Sequence, residues 1–111
     1  MKQLEVKKEG KAAVINVVGE LEIGNSEQFE NTVRTLIRDN IVHLVVNFSQ
    51  ANYIDSSGLG VLIGAWRATR QALGDLRLCG LDENLKDVLN MTRLLGYFKV
   101  FETEKEALES F

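Results

Sequence analysis

Hydrophobic residues near the start of the chain follow the spacing of β-strands. Residues 3–7 (QLEVK) precede the turn-like sequence KEGK, and residues 12–21 (AAVINVVGEL) are rich in valine and isoleucine, which favour a pleated surface. These two segments predict a hairpin. Residues 41–48 (IVHLVVNF) form a nearly continuous apolar run with β-branched members, which is typical of a strand buried on both faces. This run predicts a central strand.

Two other segments have helical spacing. Residues 24–40 predict an amphipathic helix, with Asn25 as its N-cap and Gln28 as the capping-box partner three residues on. Its apolar face would consist of Phe29, Val33, Leu36 and Ile37. A second helix is predicted from near Ser57 to around Gly74. Its apolar stripe would consist of Leu59, Leu62, Ile63, Trp66 and Leu73.

The last third of the chain repeats the alternation. Residues 75–80 (DLRLCG) predict a short strand, residues 81–96 a helix capped by Asp82, and residues 97–101 (YFKVF) a last strand.

A short terminal helix is predicted after that strand. It would begin with Thr103 and Glu106 at capping-box spacing. Strands that alternate with helices predict an α/β fold in which crossovers join the central strands.

Composition is that of one folded domain spanning residues 1–111, because 45% hydrophobic and 26% charged residues are ordinary values for a globular protein of this length. No apolar run approaches the roughly 20 residues needed to cross a bilayer. The N-terminus also lacks the apolar core of a signal peptide. We therefore expect a cytoplasmic protein without membrane contact. The net charge of -3 and the scattered basic residues argue against a nucleic-acid partner.

Several kinds of chemistry lack the residues that they need. His43 and Cys79 are the only histidine and cysteine, so we predict no metal site. The hydrolase nucleophile elbow needs a glycine two residues before and two residues after its serine, and neither Ser56 nor Ser57 has both. We predict no catalytic residue and no cofactor.

The junction YIDSSGLGVLIG, residues 53–64, brings an acid, two hydroxyls and two glycines to the start of the second helix. One interpretation is structural: Ser56 or Ser57 caps the helix, and the glycines relieve crowding against the sheet. The other is functional, because the unpaired N–H groups and the dipole at a helix start favour an anion. A phosphate on Ser56 would bring a charge of about -1.5 to -2 beside Asp55, which would oppose it.

The residues that follow Ser57 suit contact with another protein. Gly58 and Gly60 would let a partner approach the backbone closely, and Leu59 with Leu62 could offer an apolar contact. Such a junction could work as a switch in which the bare hydroxyl permits docking and the phosphate blocks it. The structural and functional interpretations are compatible.

Three segments together resemble one known family. GELEIGNSEQF, LVVNFSQANYIDSSGLGVLIG and LLGYFKVFETEKEAL are similar to motifs of the STAS domain, in particular of the stand-alone bacterial anti-sigma factor antagonists. The resemblance implies a mixed sheet with helices packed largely on one side, and no catalytic activity.

The resemblance also implies partners for this chain. An anti-sigma factor that is also a serine kinase would phosphorylate Ser56, the first serine after the aspartate. The unphosphorylated chain would bind that kinase and release the sigma factor, and a serine phosphatase would restore the active form. ATP and magnesium would belong to the kinase.

The resemblance carries over a set of partner-binding residues. They are Glu20, Leu21, Glu22, Asp55, Ser57, Gly58, Leu59, Gly60 and Leu62. Glu22 and Asn47 depart from the aspartates that are usual in the family, so we expect different polar surroundings for the switch serine.

Two alternatives remain open at this point. The chain could be an unphosphorylated STAS subunit of a transport or signalling assembly, in which Ser56 would be only a cap. It could also be a small hydrolase that uses Ser56 with His43, although no orienting motif supports this. We expect a monomer or a weak dimer.

Overall fold

The fold is built on one mixed β-sheet, seen in a computed structural model that describes residues 3–111. The elements in chain order are β1 (Gln3–Glu9), β2 (Ala12–Leu21), α1 (Ser26–Arg38), β3 (His43–Ile54), α2 (Ser56–Gln71), β4 (Asp75–Cys79), α3 (Glu83–Met91), a 3-10 turn (Leu95–Tyr97), β5 (Val100–Phe101) and α4 (Glu104–Glu109). The strand order is β1-β2-β3-β4-β5, with β1 antiparallel to β2 and the other neighbours parallel. The predicted hairpin, central strand and α/β class are confirmed.

The two faces of the sheet bury different side chains, because successive strand residues point in opposite directions. On the front face, Ile15 and Val46 lie in a core with residues of α1, α2 and α3. On the back face, Val14 and Val45 pack with Ala107 of α4. Three helices therefore cover the front and one covers the back, which confirms the prediction that the helices lie largely on one side.

The central strand β3 is longer than its sequence indicates. Relative to β2 it carries an extra residue before Gln50 and another before Tyr53, and each marks a β-bulge. Phe48, Ala51 and Ile54 consequently all lie in the front core, at a spacing of three instead of two. The expected alternation fails after Phe48, so the prediction that the strand ends there is wrong. The bulges let β3 reach the start of α2.

The segment after β4 is less regular than predicted. The helix predicted over residues 81–96 ends at Met91, and a 3-10 turn follows it. Only Val100–Phe101 of the predicted strand 97–101 pairs with β4. The 3-10 turn includes Tyr97, the first residue of the predicted strand.

Two predicted helix caps are confirmed. Asp82 Oδ1 accepts from Leu85 N at 2.7 Å at the start of α3. At α4, the Thr103 hydroxyl accepts from Glu106 N, and the Glu106 carboxylate accepts from Thr103 N, both at 3.2 Å. These reciprocal bonds satisfy donors that a helix start otherwise leaves unpaired.

The apolar stripe of α2 is confirmed except at its C-terminal end. Leu62 is fully buried, and Trp66 packs edge-on against Tyr97 with ring centroids 5.4 Å apart. Leu73 is 91% exposed, so its predicted place in the stripe is wrong. The helix ends at Gln71, and Leu73 has a φ of 67°, a left-handed conformation that turns the chain away from the helical path.

A polar chain on the back face ties α4 to the sheet. Lys7 Nζ lies 2.5 Å from Glu104 Oε2, and Glu104 Oε1 accepts from Asn47 Nδ2 at 3.1 Å. Asn47 Oδ1 in turn accepts from Ser49 N at 2.9 Å. An aspartate at residue 47 would place a second carboxylate against Glu104. The expectation that Asn47 affects the surroundings of Ser56 is therefore wrong, because Asn47 serves the α4 attachment.

Two side chains on this face, those of Glu104 and Cys79, have shifted pKa values. The hydrogen bond from Lys7 holds the pKa of Glu104 below its ordinary value of 4.5, against the opposing effect of burial. Burial raises the pKa of the Cys79 thiol to about 12, and the charge of Glu104 adds to that effect. Cys79 is therefore a neutral core residue.

We predict that Glu104→Gln flattens the acid dependence of stability. Because the folded pKa of Glu104 is lowered, its contribution is present above pH 4.5 and is lost as the pH falls through the folded value. Urea unfolding is measured at neutral pH and at a pH below the folded pKa of Glu104. The unfolding free energy should fall less on acidification in the variant than in the wild type. Glu109→Gln, an exposed position of α4, is the matched control. If the unfolding free energy fell equally on acidification in the wild type and in Glu104→Gln, the prediction would be contradicted.

Candidate functional site at the start of α2

The predicted switch segment lies at the edge of the sheet where β2 and β3 both end. Because these strands are parallel and Leu21 pairs with Ile54, the chain leaves both strands side by side. Asp55 N donates to Leu21 O at 3.3 Å, which joins the two exits. The β2–α1 loop (residues 22–25) and the first turn of α2 are therefore neighbours.

The carboxylate of Asp55 binds both of these segments. Its Oδ1 accepts from Gly58 N at 2.8 Å, which makes Asp55 the N-cap of α2. Its Oδ2 accepts from Ile23 N in the β2–α1 loop at 3.1 Å. The interpretation that Ser56 or Ser57 caps the helix is wrong, because Asp55 occupies that position.

The β2–α1 loop is also fixed by its own hydrogen bonds. Asn25 is buried; its Oδ1 accepts from Glu22 N and its Nδ2 donates to Glu20 O, both at 2.9 Å. Glu22 Oε1 accepts from Gly24 N at 2.8 Å. Asn25 does hold the N-cap position of α1, but its side chain makes no capping bond. The predicted capping box with Gln28 is wrong, since Asn25 turns back to order the loop.

Ser56 is exposed on the first turn of α2, and Ser57 is half-buried. Within residues 3–111, the Ser56 hydroxyl has no hydrogen-bond partner. The first intrahelical bond runs from Leu59 N to Asp55 O. Since Gly58 N is bound by Asp55, the backbone N–H groups of Ser56 and Ser57 are the ones left to solvent. The site thus presents a free hydroxyl beside two backbone donors.

The electrostatic character of this edge is acidic. No lysine or arginine occurs in residues 12–33 or 39–66, the two segments that build it. The acids at this edge are Glu20 and Glu22 where β2 ends, Glu27 in the first turn of α1, and Asp55 before α2. A phosphate on Ser56 would find no cationic side chain in either segment.

The family model of the STAS domain matches residues 3–107. The chain belongs to the STAS domain family.

Proteins similar to this chain include two anti-sigma factor antagonists and SpoIIAA. The chain is 25% identical to the anti-sigma F factor antagonist of Paenibacillus polymyxa, over 96% of this chain and 92% of the relative. It is 29% identical to an anti-sigma-B factor antagonist of Listeria monocytogenes, over 83% and 81%. The structure of the Bacillus cell fate determinant SpoIIAA in its phosphorylated form has a TM-score of 0.76 at 25% identity, over 99% of this chain and 98% of that one.

Some predicted partner contacts of this STAS chain lie inside the fold. Leu21 and Leu62 are fully buried in the front core, so the prediction that their side chains contact a partner is wrong. The surface-accessible members of the predicted set are Glu20, Glu22, Asp55, Ser57, Leu59 and Gly60. Their partner contacts stay predictions.

The two glycines of the switch segment have different roles. A Cβ on Gly58 would lie 2.2 Å from Leu21 O and 2.7 Å from Ile54 Cγ1, so Gly58 lets α2 approach the sheet. The prediction that Gly58 admits a partner is wrong, because Gly58 is buried against the fold itself. Gly60 is exposed with nothing within 4 Å of its Cβ position, so it stays a candidate for close approach.

One exposed residue of this edge was missed by the sequence interpretation. Ile23 is 73% exposed in the β2–α1 loop, beside the carboxylate that caps α2. Periodicity could not select it, because it belongs to no helix or strand. The available signal was a lone large apolar residue within a polar stretch.

The hydrolase alternative fails on geometry. His43 begins β3 and stacks on Phe111, whereas Ser56 follows the other end of the same strand. The strand separates the two side chains, so His43 cannot accept a proton from Ser56. Among residues 3–111 there is also no group of three or more metal-binding side chains, and no helix long and apolar enough to cross a membrane.

We predict opposite effects for alanine at the two glycines. Gly58→Ala should destabilise the fold by about 1–3 kcal/mol, because its Cβ would meet backbone that cannot move aside. Gly60→Ala should stabilise it by about 0.5–1 kcal/mol, because alanine favours the helix interior and meets nothing. Urea unfolding of both variants measures the difference. Equal stabilities would show that the close approach of α2 to Leu21 O is not required.

Proposed function

We propose that this STAS chain is an anti-sigma factor antagonist controlled by phosphorylation of Ser56. In the unphosphorylated form it binds an anti-sigma factor, which is a serine kinase, and so releases a sigma factor in the cytoplasm. The observation that carries the proposal is the exposed Ser56 hydroxyl, unbonded within residues 3–111 and placed on a rigid first turn of α2. The names of the relatives from Paenibacillus and Listeria support it.

The chain's part in the phosphorylation step is to present its nucleophile. The kinase transfers the γ-phosphoryl group of ATP to Ser56 Oγ, the hydroxyl proton passes to a base of the kinase, and ADP is the leaving group. ATP and magnesium belong to the kinase. Asp55 fixes the turn that carries Ser56 through its bond to Gly58 N, which reduces the ordering needed when the kinase binds.

The phosphorylated chain is expected to stay folded. The backbone N–H groups of Ser56 and Ser57 and the helix dipole favour an anion there by roughly 0.3–1 kcal/mol. The phosphate therefore acts on the partner and not on the fold.

Loss of docking follows from charge. After transfer, a phosphoserine of about -1.5 to -2 charge faces the diphosphate of ADP in the kinase and the acidic side chains of its own edge. Each contact between two negative unit charges opposes docking by about 1 kcal/mol in water, and by several times more where the interface excludes water. A serine phosphatase that removes the phosphate restores binding.

We predict that one phosphate is carried and that it lies on Ser56. Incubation with ATP and each purified anti-sigma factor kinase of the source organism, followed by intact-mass measurement and peptide mapping across residues 53–67, should show it. Ser56→Ala should carry no phosphate, whereas Ser57→Ala should still accept one. Phosphate on Ser57 alone, or on neither serine with any kinase, would contradict the proposal. The second result would favour the unphosphorylated STAS subunit.

We predict opposite docking behaviour for two Ser56 variants. Ser56→Ala should bind the anti-sigma factor permanently, since it cannot be modified, and Ser56→Asp should bind more weakly because it places a fixed charge at the same point. Calorimetric titration in the presence of ADP measures both affinities. Equal affinities would remove Ser56 from the control of docking.

A further inference from the structure

Ile23 is an exposed large apolar residue beside the proposed switch. It is 73% exposed, and the two segments that meet around it contain no cationic side chain. We propose that Ile23 is the apolar anchor by which the chain docks on its anti-sigma factor, and that Asp55 positions it. This inference rests on the proposed function, whose partner it describes in more detail.

The β2–α1 loop has a fixed geometry. Ile23 N donates to Asp55, and the residues on either side are held by Asn25 and by Glu22 Oε1. A single exposed apolar residue on a mobile loop is common and carries no meaning. Here the loop is ordered before any partner binds, so docking would not have to supply that ordering free energy.

The exposed side chain of Ile23 has acidic neighbours. Glu20, Glu22 and Asp55 flank Ile23 along the chain or by hydrogen bonding. A complementary partner would have an apolar socket for Ile23, rimmed by lysine or arginine side chains. A kinase that holds the phosphates of ATP needs cations near its nucleotide, which agrees with such a rim.

The anchor and the switch are linked by hydrogen bonds. One carboxylate, that of Asp55, binds the loop at Ile23 and the first turn of α2 at Gly58. The Ile23 side chain and the Ser56 hydroxyl are therefore presented at a fixed spacing. A partner seated on Ile23 would meet Ser56 in one position only.

The test compares Ile23→Ala with Leu73→Ala in calorimetric titrations against the purified anti-sigma factors of the source organism, with ADP and magnesium. Leu73 is 91% exposed and follows the opposite end of α2, so it is a matched control. Ile23→Ala should weaken binding about tenfold or more, whereas Leu73→Ala should stay close to the wild type. Ile23→Leu should retain most of the affinity. Thermal melts check that each variant is folded, which the exposure of both residues favours.

The outcomes separate the inference from the proposed function. If the wild type binds an anti-sigma factor and Ile23→Ala binds equally well, the anchor is overturned and the proposed function stands. If the wild type binds none of them, both are overturned. Affinity that does not fall with rising salt would overturn the cationic rim.

The positioning role of Asp55 has its own test. Asp55→Asn has a single acceptor oxygen for the two donors, so it should weaken binding in the wild-type background. In the Ile23→Ala background the same change should have a smaller effect, because only the lost charge of Asp55, and no longer the position of Ile23, would then alter binding. Equal effects in the two backgrounds would overturn this role.

Discussion

The Asp55 carboxylate is the contact on which the proposed switch depends. It is the N-cap of α2 and, through its second oxygen, the acceptor for a backbone N–H of the β2–α1 loop. A carboxylate is suited to this work because both oxygens accept, whereas a serine hydroxyl in the same place could cap the helix but could not reach two segments as readily. Ser56 is left free because its neighbour has taken the capping role.

Several features of the sheet bring Asp55 to this position. The two bulges of β3 keep Ile54 in the core at the strand end, one residue before the cap. Gly58 lets the helix approach Leu21 O at a distance that any Cβ would prevent. The back face is separate: α4 and the polar chain from Lys7 to Asn47 stabilise the sheet away from the site. A change at the front edge can therefore alter docking while the attachment of α4 is kept.

Much of the fold could be predicted from the sequence because its elements obey simple periods. β2 and α1 were predicted from their residue types and spacing, and the caps at Asp82 and Thr103 from their residue types. The end of β3 could not be found, because bulges change the spacing of buried residues and no sequence period records them. Leu73 was misplaced because nothing in its residue type indicates a left-handed conformation.

The candidate site was predicted by residue and by family resemblance, but its internal geometry was not. Asp55, Ser56 and Ser57 are all good N-cap residues, so only the structure assigns the cap. Gly58 and Gly60 look alike in sequence, yet one packs against the sheet and the other faces solvent. Ile23 was missed because its importance depends on a hydrogen bond to a residue 32 positions away.

Amide hydrogen exchange, measured by NMR on the wild type and on Asp55→Asn, tests the role of this carboxylate most directly. The Ile23 and Gly58 amides should both be protected in the wild type relative to that of Ser57. In Asp55→Asn, which keeps one acceptor oxygen, only one of the two should stay protected. An Ile23 amide that exchanges as fast as that of Ser57 in the wild type, or equal protection of both amides in the variant, would contradict this role of Asp55.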